Sequence, residues 1–401
     1  MNVLVVGSGA REHALAWRLA QSESLTELHA APGNPGIASL GRCHPVRADD
    51  GDGLLALATT TEIDLAVIGP EAPLVAGVAD LLRQNGVSVF GPSGEAARIE
   101  GSKTFAKEVL RAAGVATAET MSVARAPCVL KADGLASGKG VFVCRTGAEL
   151  EAALPVVEAF GSGAVIEELL EGPEVSLFAL SDGRAAVPFG AAQDFKRIGD
   201  GDEGPNTGGM GAYSPVPDLD AAALVEQVHA PVIQELARRG APFVGCLFAG
   251  LMLTADGPKV LEFNARFGDP ETQVLMPRFR GDLLEALAAA ARGDLGGVEL
   301  SLDDDAAVTV VLAAPDYPER SDYAGATIRG LDAAAEAGAL VFQGGTAVRD
   351  GRVITNGGRI LSVTATGASL SEARTKAYAA VDLVSFEGAR FRRDIAAVAG
   401  G

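Results

Sequence analysis

The chain has 401 residues, more than one ordinary hydrophobic core accommodates, so two to four structural units are expected. Apolar residues make up 48% of the chain, while aromatic residues make up only 5%, so the cores are expected to consist mainly of Ala, Val and Leu. The formal net charge of −19 argues against nucleic-acid and membrane partners, because such a surface repels phosphate backbones and anionic lipid.

Residues 1–100 alternate short apolar runs with amphipathic stretches. The runs Val3–Val6, Leu65–Ile68 and Val87–Phe90 predict buried strands, and Arg11–Ala20 and Leu74–Asn85 predict helices. Such alternation predicts a parallel, doubly wound sheet, in which ligands bind beyond the carboxyl ends of the strands. The loops expected there are Gly7–Arg11, Pro32–Gly36 and Gly69–Glu71.

The middle of the chain is predicted to be a mixture of strands and helices. After a helix at Lys103–Ala113, residues 127–180 form a compact β-rich unit with strands Cys128–Lys131, Gly140–Cys144, Ala164–Glu168 and Val175–Leu180 and a helix at Ala148–Ala159. Residues 181–295 follow, with strands Phe243–Leu253 and Lys259–Phe263 and helices Ala221–Arg239 and Leu283–Arg292. Residues 293–297 are predicted to be a linker.

Residues 298–401 are again predicted to be α+β. Strands are expected at Val308–Ala313 and Ile360–Thr366. Ser369 and Glu372 have the spacing of a capping box, which predicts the start of a helix there.

The first loop, Gly7-x-Gly9, resembles the start of a dinucleotide-binding fingerprint. Glu12 stands at the third glycine position, however, and a carboxylate there would repel a pyrophosphate at the helix N-terminus. The pattern therefore disfavours a nicotinamide or flavin site. Backbone N–H groups and Arg11 could still bind one phosphate or a ribose, and an ordinary strand-to-helix turn is the simpler alternative.

Two lysines bracket a loop of small residues, Lys131 to Gly140. Small residues let backbone N–H groups reach phosphate oxygens, which Lys131 and Lys139 would neutralise. The spacing is not that of a Walker loop. The segment is expected to be a short mobile lid that becomes ordered when ATP binds. The apolar run into the acidic turn at Glu174 could hold an adenine through its backbone and ribose hydroxyls through a carboxylate.

The strand Leu261–Arg266 places Glu262, Asn264 and Arg266 on one face. Two oxygen ligands two residues apart suit Mg²⁺, and Arg266 could stabilise charge on a transferring phosphoryl group. An exposed sheet edge is the alternative. Two polar, glycine-rich loops, residues 193–211 and 267–272, are predicted to contact substrate around this strand.

These motifs together resemble the glycinamide ribonucleotide synthetase family, in the same order along almost the whole chain. The matching segments are Gly7–Leu15, Pro32–Asn34, Gly69–Leu74, Lys131–Gly140, Gly204–Tyr213 and Glu262–Glu271. The later stretch Thr355–Arg359 resembles the C-terminal domain of that family. The chain departs from the family at Ser8 and Ala10, and it is shorter than the usual lid between Thr120 and Pro127.

The resemblance implies an ATP-grasp fold of three parts. They are an N-terminal substrate domain with a doubly wound parallel sheet (1–100), an ATP-grasp core (101–295) with a small lid at about 120–180, and a C-terminal α+β domain (298–401). The implied reaction is ligation of glycine to 5-phosphoribosylamine in purine biosynthesis. It would consume ATP, pass through glycyl phosphate and use Mg²⁺, with Mn²⁺ as an alternative.

The resemblance also implies roles for individual residues. ATP would contact Lys103, Lys131, Ser137, Gly138, Lys139, Gly140, Glu167, the backbone at Leu169, and Glu174. Glu262 and Asn264 would bind the metal, and Lys139, Arg266 and Asp269 would take part in catalysis. The substrates would lie near Gly9, Arg11, Glu12, Asn34, Glu71, Asp194, Lys196, Asn206, Thr207 and Gly208.

Three alternatives remain open at this point. Another ATP-grasp ligase or a carboxylase would share Lys131 and Glu262 but not the Gly204–Tyr213 motif. A non-catalytic nucleotide-binding module would not need Glu262, Asn264 and Arg266 together on one strand. A Rossmann-type oxidoreductase is the third alternative, and Glu12 argues against it.

The setting of the protein is expected to be the cytoplasm. The four cysteines form no Cys-x-x-Cys pair, and the N-terminal apolar run is too short for a signal peptide or a membrane span. The expected partners are small-molecule substrates only, with the protein acting as a monomer or weak homo-oligomer.

Overall fold

The computed structural model describes residues 1–135, 140–161 and 163–397. The strands are, in chain order, β1 (Asn2–Gly7), β2 (Glu27–Pro32), β3 (Arg42–Cys43), β4 (Leu65–Ile68), β5 (Ser88–Phe90), β6 (Cys128–Ala132), β7 (Val141–Cys144), β8 (Ala164–Glu168), β9 (Glu174–Asp182), β10 (Ala186–Asp194), β11 (Arg197–Gly199), β12 (Glu203–Asn206), β13 (Gly211–Ser214), β14 (Val244–Thr254), β15 (Gly257–Asn264), β16 (Phe279–Arg280), β17 (Ser301–Leu302), β18 (Ala306–Ala313), β19 (Tyr323–Thr327), β20 (Leu340–Gln343), β21 (Thr346–Arg349), β22 (Arg352–Gly357) and β23 (Arg359–Gly367).

The helices alternate with these strands. They are α1 (Ala10–Leu19), α2 (Gly51–Thr60), α3 (Glu71–Val75), α4 (Val78–Gln84), α5 (Gly94–Gly101), α6 (Lys103–Ala113), α7 (Gly147–Ala159), α8 (Ala221–Arg238), α9 (Thr272–Arg278), α10 (Leu283–Arg292), α11 (Leu331–Glu336) and α12 (Leu370–Val381), with short 3-10 turns at Ile37–Ser39 and Asp200–Asp202. None of the helices in the described ranges is long and apolar enough to cross a membrane.

The N-terminal part is a parallel sheet in the order β3-β2-β1-β4-β5, as the strand–helix alternation predicts. Its central strands are buried on both faces, because helices cover both sides of a doubly wound sheet. The loops after β1, β2 and β4 therefore lie together at one edge. Leu74–Asn85 is not one helix but two, α3 and α4, because Gly77 takes a left-handed conformation between them (φ +81°).

The largest sheet has eight strands in the order β15-β14-β9-β10-β13-β18-β23-β20. It is antiparallel throughout, and the pairing of β13 with β18 joins the middle of the chain to its C-terminal part. The sequence groups Val175–Leu180 with the β-rich unit at 127–180, but β9, which contains this run, pairs with β10 and β14 of the large sheet.

The remaining β-rich unit is a small antiparallel sheet, β7-β6-β8, with α7 packed on one face. This unit carries Lys131 and Glu167 toward the large sheet. At the C-terminal end, α12 begins as the capping pattern predicts, because Ser369 Oγ accepts the N–H of Glu372 at 3.2 Å. The Glu372 carboxylate accepts the N–H of Ala368 rather than that of Ser369, so the reciprocal half of a capping box is displaced by one residue.

Candidate active site

The N-terminal loop closes around the carboxylate of Glu12, which is only 2% exposed. One of its oxygens accepts the N–H of Gly9 at 2.6 Å, and the other accepts Nε–H of Arg11 at 2.6 Å. A Cβ atom on Gly7, Gly9 or Gly69 would lie 2.7, 2.7 or 2.1 Å from the Glu12 side chain. The glycines therefore make room for a carboxylate at the N-terminus of α1, the place where a dinucleotide pyrophosphate would lie.

Two arginines connect this loop to the end of β15. Arg11 and Arg266 both donate to the carbonyl oxygen of Phe267, at 3.2 and 3.3 Å. Arg266 also lies 3.1 Å from Glu100 and 3.4 Å from Glu71. Burial alone would raise the pKa of Glu71, but Arg266 and Arg11 lower it to about 2. Glu71 is therefore an anion, held in place by the arginine that the sequence assigns to the reaction centre.

Glu262 and Asn264 lie two residues apart on β15, on the face that the strand period predicts. Burial acts to raise the pKa of Glu262, yet the neighbouring cations hold it below its ordinary value, so the group stays ionised. Asn264 Oδ1 accepts from Arg266 at 3.0 Å, which leaves one lone pair of this oxygen free to bind a cation. The cations near Glu262 are Lys196, Lys131, Lys103 and Arg266.

Lys131, at the end of β6, is buried beside Glu167 of β8. The Glu167 carboxylate lies 2.7 Å from Lys131 and 2.8 Å from Lys107 of α6, and Lys131 also donates to the carbonyl of Leu261 at 2.7 Å. Both Glu167 oxygens therefore hold ammonium groups, and the carboxylate fixes Lys131 next to the strand that carries Glu262. The predicted contact of Glu167 with adenosine stays a prediction.

Lys103 is the first residue of α6 and faces the same cluster. Its ammonium group donates to the carbonyl of Gly134 at 2.8 Å, and its backbone N–H donates to Asp133 at 2.6 Å. Burial lowers the pKa of Lys103, an effect that Lys131 reinforces and that Glu262 and Asp133 oppose. Ser137, Gly138 and Lys139 lie outside the described residues, so their predicted roles, and that of the loop as a lid, stay predictions.

Lys196 follows β10 and pairs with Glu174 of β9, the residue predicted to hold the ribose. Burial raises the pKa of Asp194 to about 8, with a further contribution from Glu271, Glu174 and Glu262, while Lys196 acts in the opposite direction. Glu271 is also buried, and its pKa is raised by that burial. This part of the site thus holds several acidic groups around one ammonium ion, and at neutral pH Asp194 is largely protonated.

The loop from β12 to β13 folds back onto Lys196. Thr207 donates both its N–H (2.7 Å) and its hydroxyl (2.8 Å) to the carbonyl of Lys196, and its hydroxyl oxygen accepts the N–H of Gly209 at 2.9 Å. Asn206 lies at the end of β12, opposite Arg197. The Thr207 side chain thus determines the shape of the loop that carries Gly208.

Residues of the C-terminal part complete this loop. Tyr317 accepts the N–H of Gly208 at 2.9 Å, and Arg359 donates to the Gly208 carbonyl. Arg359 also donates to the carbonyl of Asp269 at 2.9 Å and lies 3.0 Å from its carboxylate. The sequence motifs assign no role to Tyr317, Arg359 or Lys107. Only Arg359 carried a signal, as the charged residue closing the Thr355–Arg359 stretch.

A cavity of about 520 Å³ opens between the N-terminal sheet and the C-terminal part. Its walls combine the predicted residues Gly9, Asn34 and Asp269 with C-terminal segments that the sequence did not assign. Those segments are Gly344–Thr346, Asn356, Gly358–Arg359, Tyr317 and Ser321. The amide of Asn34 is already engaged, since it donates to the carbonyls of Gln343 (2.6 Å) and Ser8 (2.9 Å) and accepts the N–H of Ile37 (2.9 Å).

The predicted site residues thus fall into two adjoining clusters. The first surrounds the lysines of β6 and α6 and the lysine that follows β10, and it contains Lys103, Lys131, Glu167, Glu174, Asp194, Lys196, Glu262 and Asn264. The second, at the edge of the parallel sheet, contains Gly9, Arg11, Glu12, Glu71, Arg266 and Asp269. Gly140 and Leu169 border β7 and β8 of the small sheet. The segment from Asn264 to Glu271 connects the two clusters.

A lysine-bearing small sheet facing a carboxylate-bearing strand of a large antiparallel sheet defines the ATP-grasp class of proteins. Family models agree with this along most of the chain: the N domain of phosphoribosylglycinamide synthetase matches residues 1–100, its ATP-grasp (A) domain residues 101–272, and its C domain residues 307–398. The chain belongs to the phosphoribosylglycinamide synthetase family.

Individual relatives are similar over their full length. The phosphoribosylamine–glycine ligase of Streptomyces coelicolor is 51% identical over 100% of both chains, and that of Mesorhizobium japonicum is 48% identical over 98% of this chain and 97% of the relative. The crystal structure of the Thermotoga maritima phosphoribosylamine–glycine ligase is 34% identical, with a TM-score of 0.86 over 98% of this chain and 100% of that one. A biotin carboxylase domain from Hydrogenobacter thermophilus, 17% identical with a TM-score of 0.71 over 97% of this chain and 91% of that one, shares the fold.

Proposed function

We propose that the chain joins glycine to 5-phosphoribosylamine at the expense of ATP, forming glycinamide ribonucleotide, ADP and phosphate. The observation that carries this proposal is the likeness, over the full length of both chains, to relatives named phosphoribosylamine–glycine ligase. The proposal includes a cytoplasmic setting, small-molecule partners only, and a monomer or weak homo-oligomer.

The first cluster suits a nucleoside triphosphate bound together with a divalent cation. Lys103 and Lys131 supply positive charge for phosphate oxygens, and Glu262 with Asn264 offers an ionised and a neutral oxygen ligand on one face. Among the described residues no group of three or more His, Cys, Asp or Glu side chains could hold a metal alone. The pair of Glu262 and Asn264 fits Mg²⁺, or Mn²⁺ in its place, because Mg²⁺ takes few protein oxygens and completes its shell with phosphate and water.

Bound at Glu262 and Asn264, the cation would neutralise charge on the phosphates during transfer. The chain's own residues account for the remaining requirements of the first step. The sequence places Arg266 on the same strand, but β15 ends at Asn264, so Arg266 lies two residues past its end. Held there by Glu71 and Glu100, it stabilises negative charge at the reacting carboxylate. A glycine carboxylate oxygen attacks the terminal phosphorus of ATP, the bond to the bridging oxygen breaks, and ADP leaves.

The cavity beside Asp269 is proposed to hold 5-phosphoribosylamine. Its lining combines polar side chains with glycines, adjoins the N-terminus of α1 and includes Asp269, which lies five residues after Asn264 of the first cluster. The amine then attacks the carbonyl carbon of glycyl phosphate, and inorganic phosphate leaves with the former carboxylate oxygen. The amine must lose a proton in this step, and the carboxylate of Asp269, which lines the cavity beside Arg359, is the proposed acceptor.

An isotope experiment tests this route. Glycine labelled with ¹⁸O in its carboxylate should transfer one labelled oxygen to the inorganic phosphate, which mass spectrometry would detect. Unlabelled phosphate formed together with glycinamide ribonucleotide would exclude glycyl phosphate. The Glu262→Ala variant serves as the control, because no product and no labelled phosphate should form without the metal ligand.

A further inference from the structure

His13 lies on α1 and has no part in the reaction proposed above. The residue is 8% exposed, and its Nδ1 accepts the backbone N–H of Gln343, the last residue of β20, at 2.8 Å. Asn34 donates to the carbonyl oxygen of the same Gln343 at 2.6 Å. Two side chains of the N-terminal part thus hold both polar groups of one backbone position in the C-terminal part.

The chain that follows Gln343 forms a wall of the cavity. Gly344, Gly345 and Thr346 line it, and the backbone of Gly345 is tied to the carbonyl of Arg359 at 2.9 Å. β20 is the last strand of the eight-stranded sheet, so the sheet supports this wall from one side only. On the other side, His13 and Asn34 hydrogen-bond the backbone of Gln343, immediately before the wall.

We propose that His13 is a positioning residue, which with Asn34 sets the distance between the two walls of the 5-phosphoribosylamine cavity by holding the backbone of Gln343. The inference rests on the proposed function, because it takes the ligand of the cavity from there. His13, Asn34 and Gln343 are called the wall clamp below.

The chemistry of the ring fits this role. Nδ1 can accept an N–H only while it carries no proton, and burial lowers the pKa of His13 to about 4, so the acceptor is present at neutral pH. The ring stands edge-on to Phe342, with 5.6 Å between the ring centroids. The glycine at position 36 permits this placement, since a Cβ there would lie 2.1 Å from Cε1 of His13.

Two substitutions separate the hydrogen bond from the ring. His13→Phe keeps a ring against Phe342 but loses the acceptor, whereas His13→Asn loses the ring but places an oxygen where Nδ1 stood. We expect His13→Phe to raise KM for 5-phosphoribosylamine roughly tenfold, because it leaves the N–H of Gln343 without a partner. KM for ATP and for glycine should stay within about twofold, and His13→Asn should recover most of the loss.

The only tryptophan of the chain supplies a second readout. Trp17 lies one turn after His13, with its ring 6.0 Å from that of Phe342, so its fluorescence reports on contact between α1 and β20. His13→Phe should change the Trp17 emission, and His13→Asn should restore it toward that of the wild type. His44→Phe is the matched control, because His44 lies outside the wall clamp and outside both clusters of predicted site residues. It should change neither KM nor emission.

Equal effects of His13→Phe on all three KM values, or no rescue by His13→Asn, would overturn the proposal. If His13→Phe does not fold, Gly36→Ala takes its place, since it displaces the ring without changing its chemistry, and an unchanged KM for 5-phosphoribosylamine would then contradict the role. A wild-type protein that does not ligate glycine would instead contradict the proposed function, while the emission of the two His13 variants would still test the wall clamp.

Discussion

At the scale of single residues, the Glu12 carboxylate is held by the N–H of Gly9 and the side chain of Arg11, in space that Gly69 leaves open. Its position within the glycine loop is enough to argue against a dinucleotide site. The direction of its side chain does not follow from that position, because it depends on Gly69 and Arg11 as well as on the loop itself. Such a close approach of a side chain to the backbone depends on glycines in separate loops, so no local sequence pattern indicates it.

Glu262 carries the first prediction. Glu262→Ala should lower turnover by more than about 100-fold while leaving the fold intact, because it removes the only ionised ligand of the proposed metal pair. Turnover measured across a Mg²⁺ titration, with circular dichroism for the fold, checks this. Glu299→Ala, at an exposed glutamate, is the control. Wild-type turnover with unchanged Mg²⁺ dependence would place the metal elsewhere.

Asp194 carries a prediction about pH. Its pKa of about 8 in the folded protein, against an ordinary value of 3.8, means that the folded state keeps a proton that the unfolded state releases. This contribution to stability is complete at low pH and is lost as the pH rises toward 8. In Asp194→Asn the group no longer titrates, so the variant should gain thermal stability relative to the wild type as the pH rises.

Melting temperatures between about pH 5 and about pH 8 test this expectation. Asp256→Asn, in the exposed turn between β14 and β15, is the matched control, and its difference from the wild type should stay constant with pH. If the difference in melting temperature between Asp194→Asn and the wild type also stays constant with pH, Asp194 is ionised in the folded protein, and its pKa is not raised.

At the scale of elements, the spacing of apolar residues predicts strands and helices with a regular pattern, but it does not indicate those whose pattern is weak. β4, β8, α6 and α10 begin and end where the sequence places them. The pattern does not indicate β2 and α2, and it groups β9 with the small sheet, because the pairing partners of a strand can lie far apart in the chain. The domain limits proposed from the sequence stay a prediction.

The loops after β1 and β4 give a prediction at this scale. Gly69→Ala should lower the free energy of unfolding by about 1–3 kcal/mol, since its Cβ would overlap Glu12 Oε1, and should raise KM for 5-phosphoribosylamine. Gly147→Ala is the matched control, because no atom lies within 4 Å of its Cβ. Equal free energies of unfolding for the two variants, measured with denaturant, would show that the loop accommodates the added Cβ without loss of stability.

At the scale of the whole molecule, the site is assembled from parts that are distant in sequence. The continuous eight-stranded sheet carries Glu262 at one edge and places Arg359 at the start of β23, near its other edge. Tyr317 and Arg359 reach Gly208 and Asp269 only through this arrangement. The sequence therefore indicates the lysines and the proposed metal pair, which lie in local motifs, but not the C-terminal wall of the cavity.

The release of ADP, followed with a coupled assay, tests the central claim most directly. We expect ADP to form only when ATP, glycine and 5-phosphoribosylamine are all present, because the acyl donor and acceptor are proposed to occupy adjoining parts of one site. Omitting glycine or 5-phosphoribosylamine should abolish turnover. Comparable ADP release with bicarbonate or formate in place of glycine would contradict the proposed function and would favour a different ATP-grasp reaction.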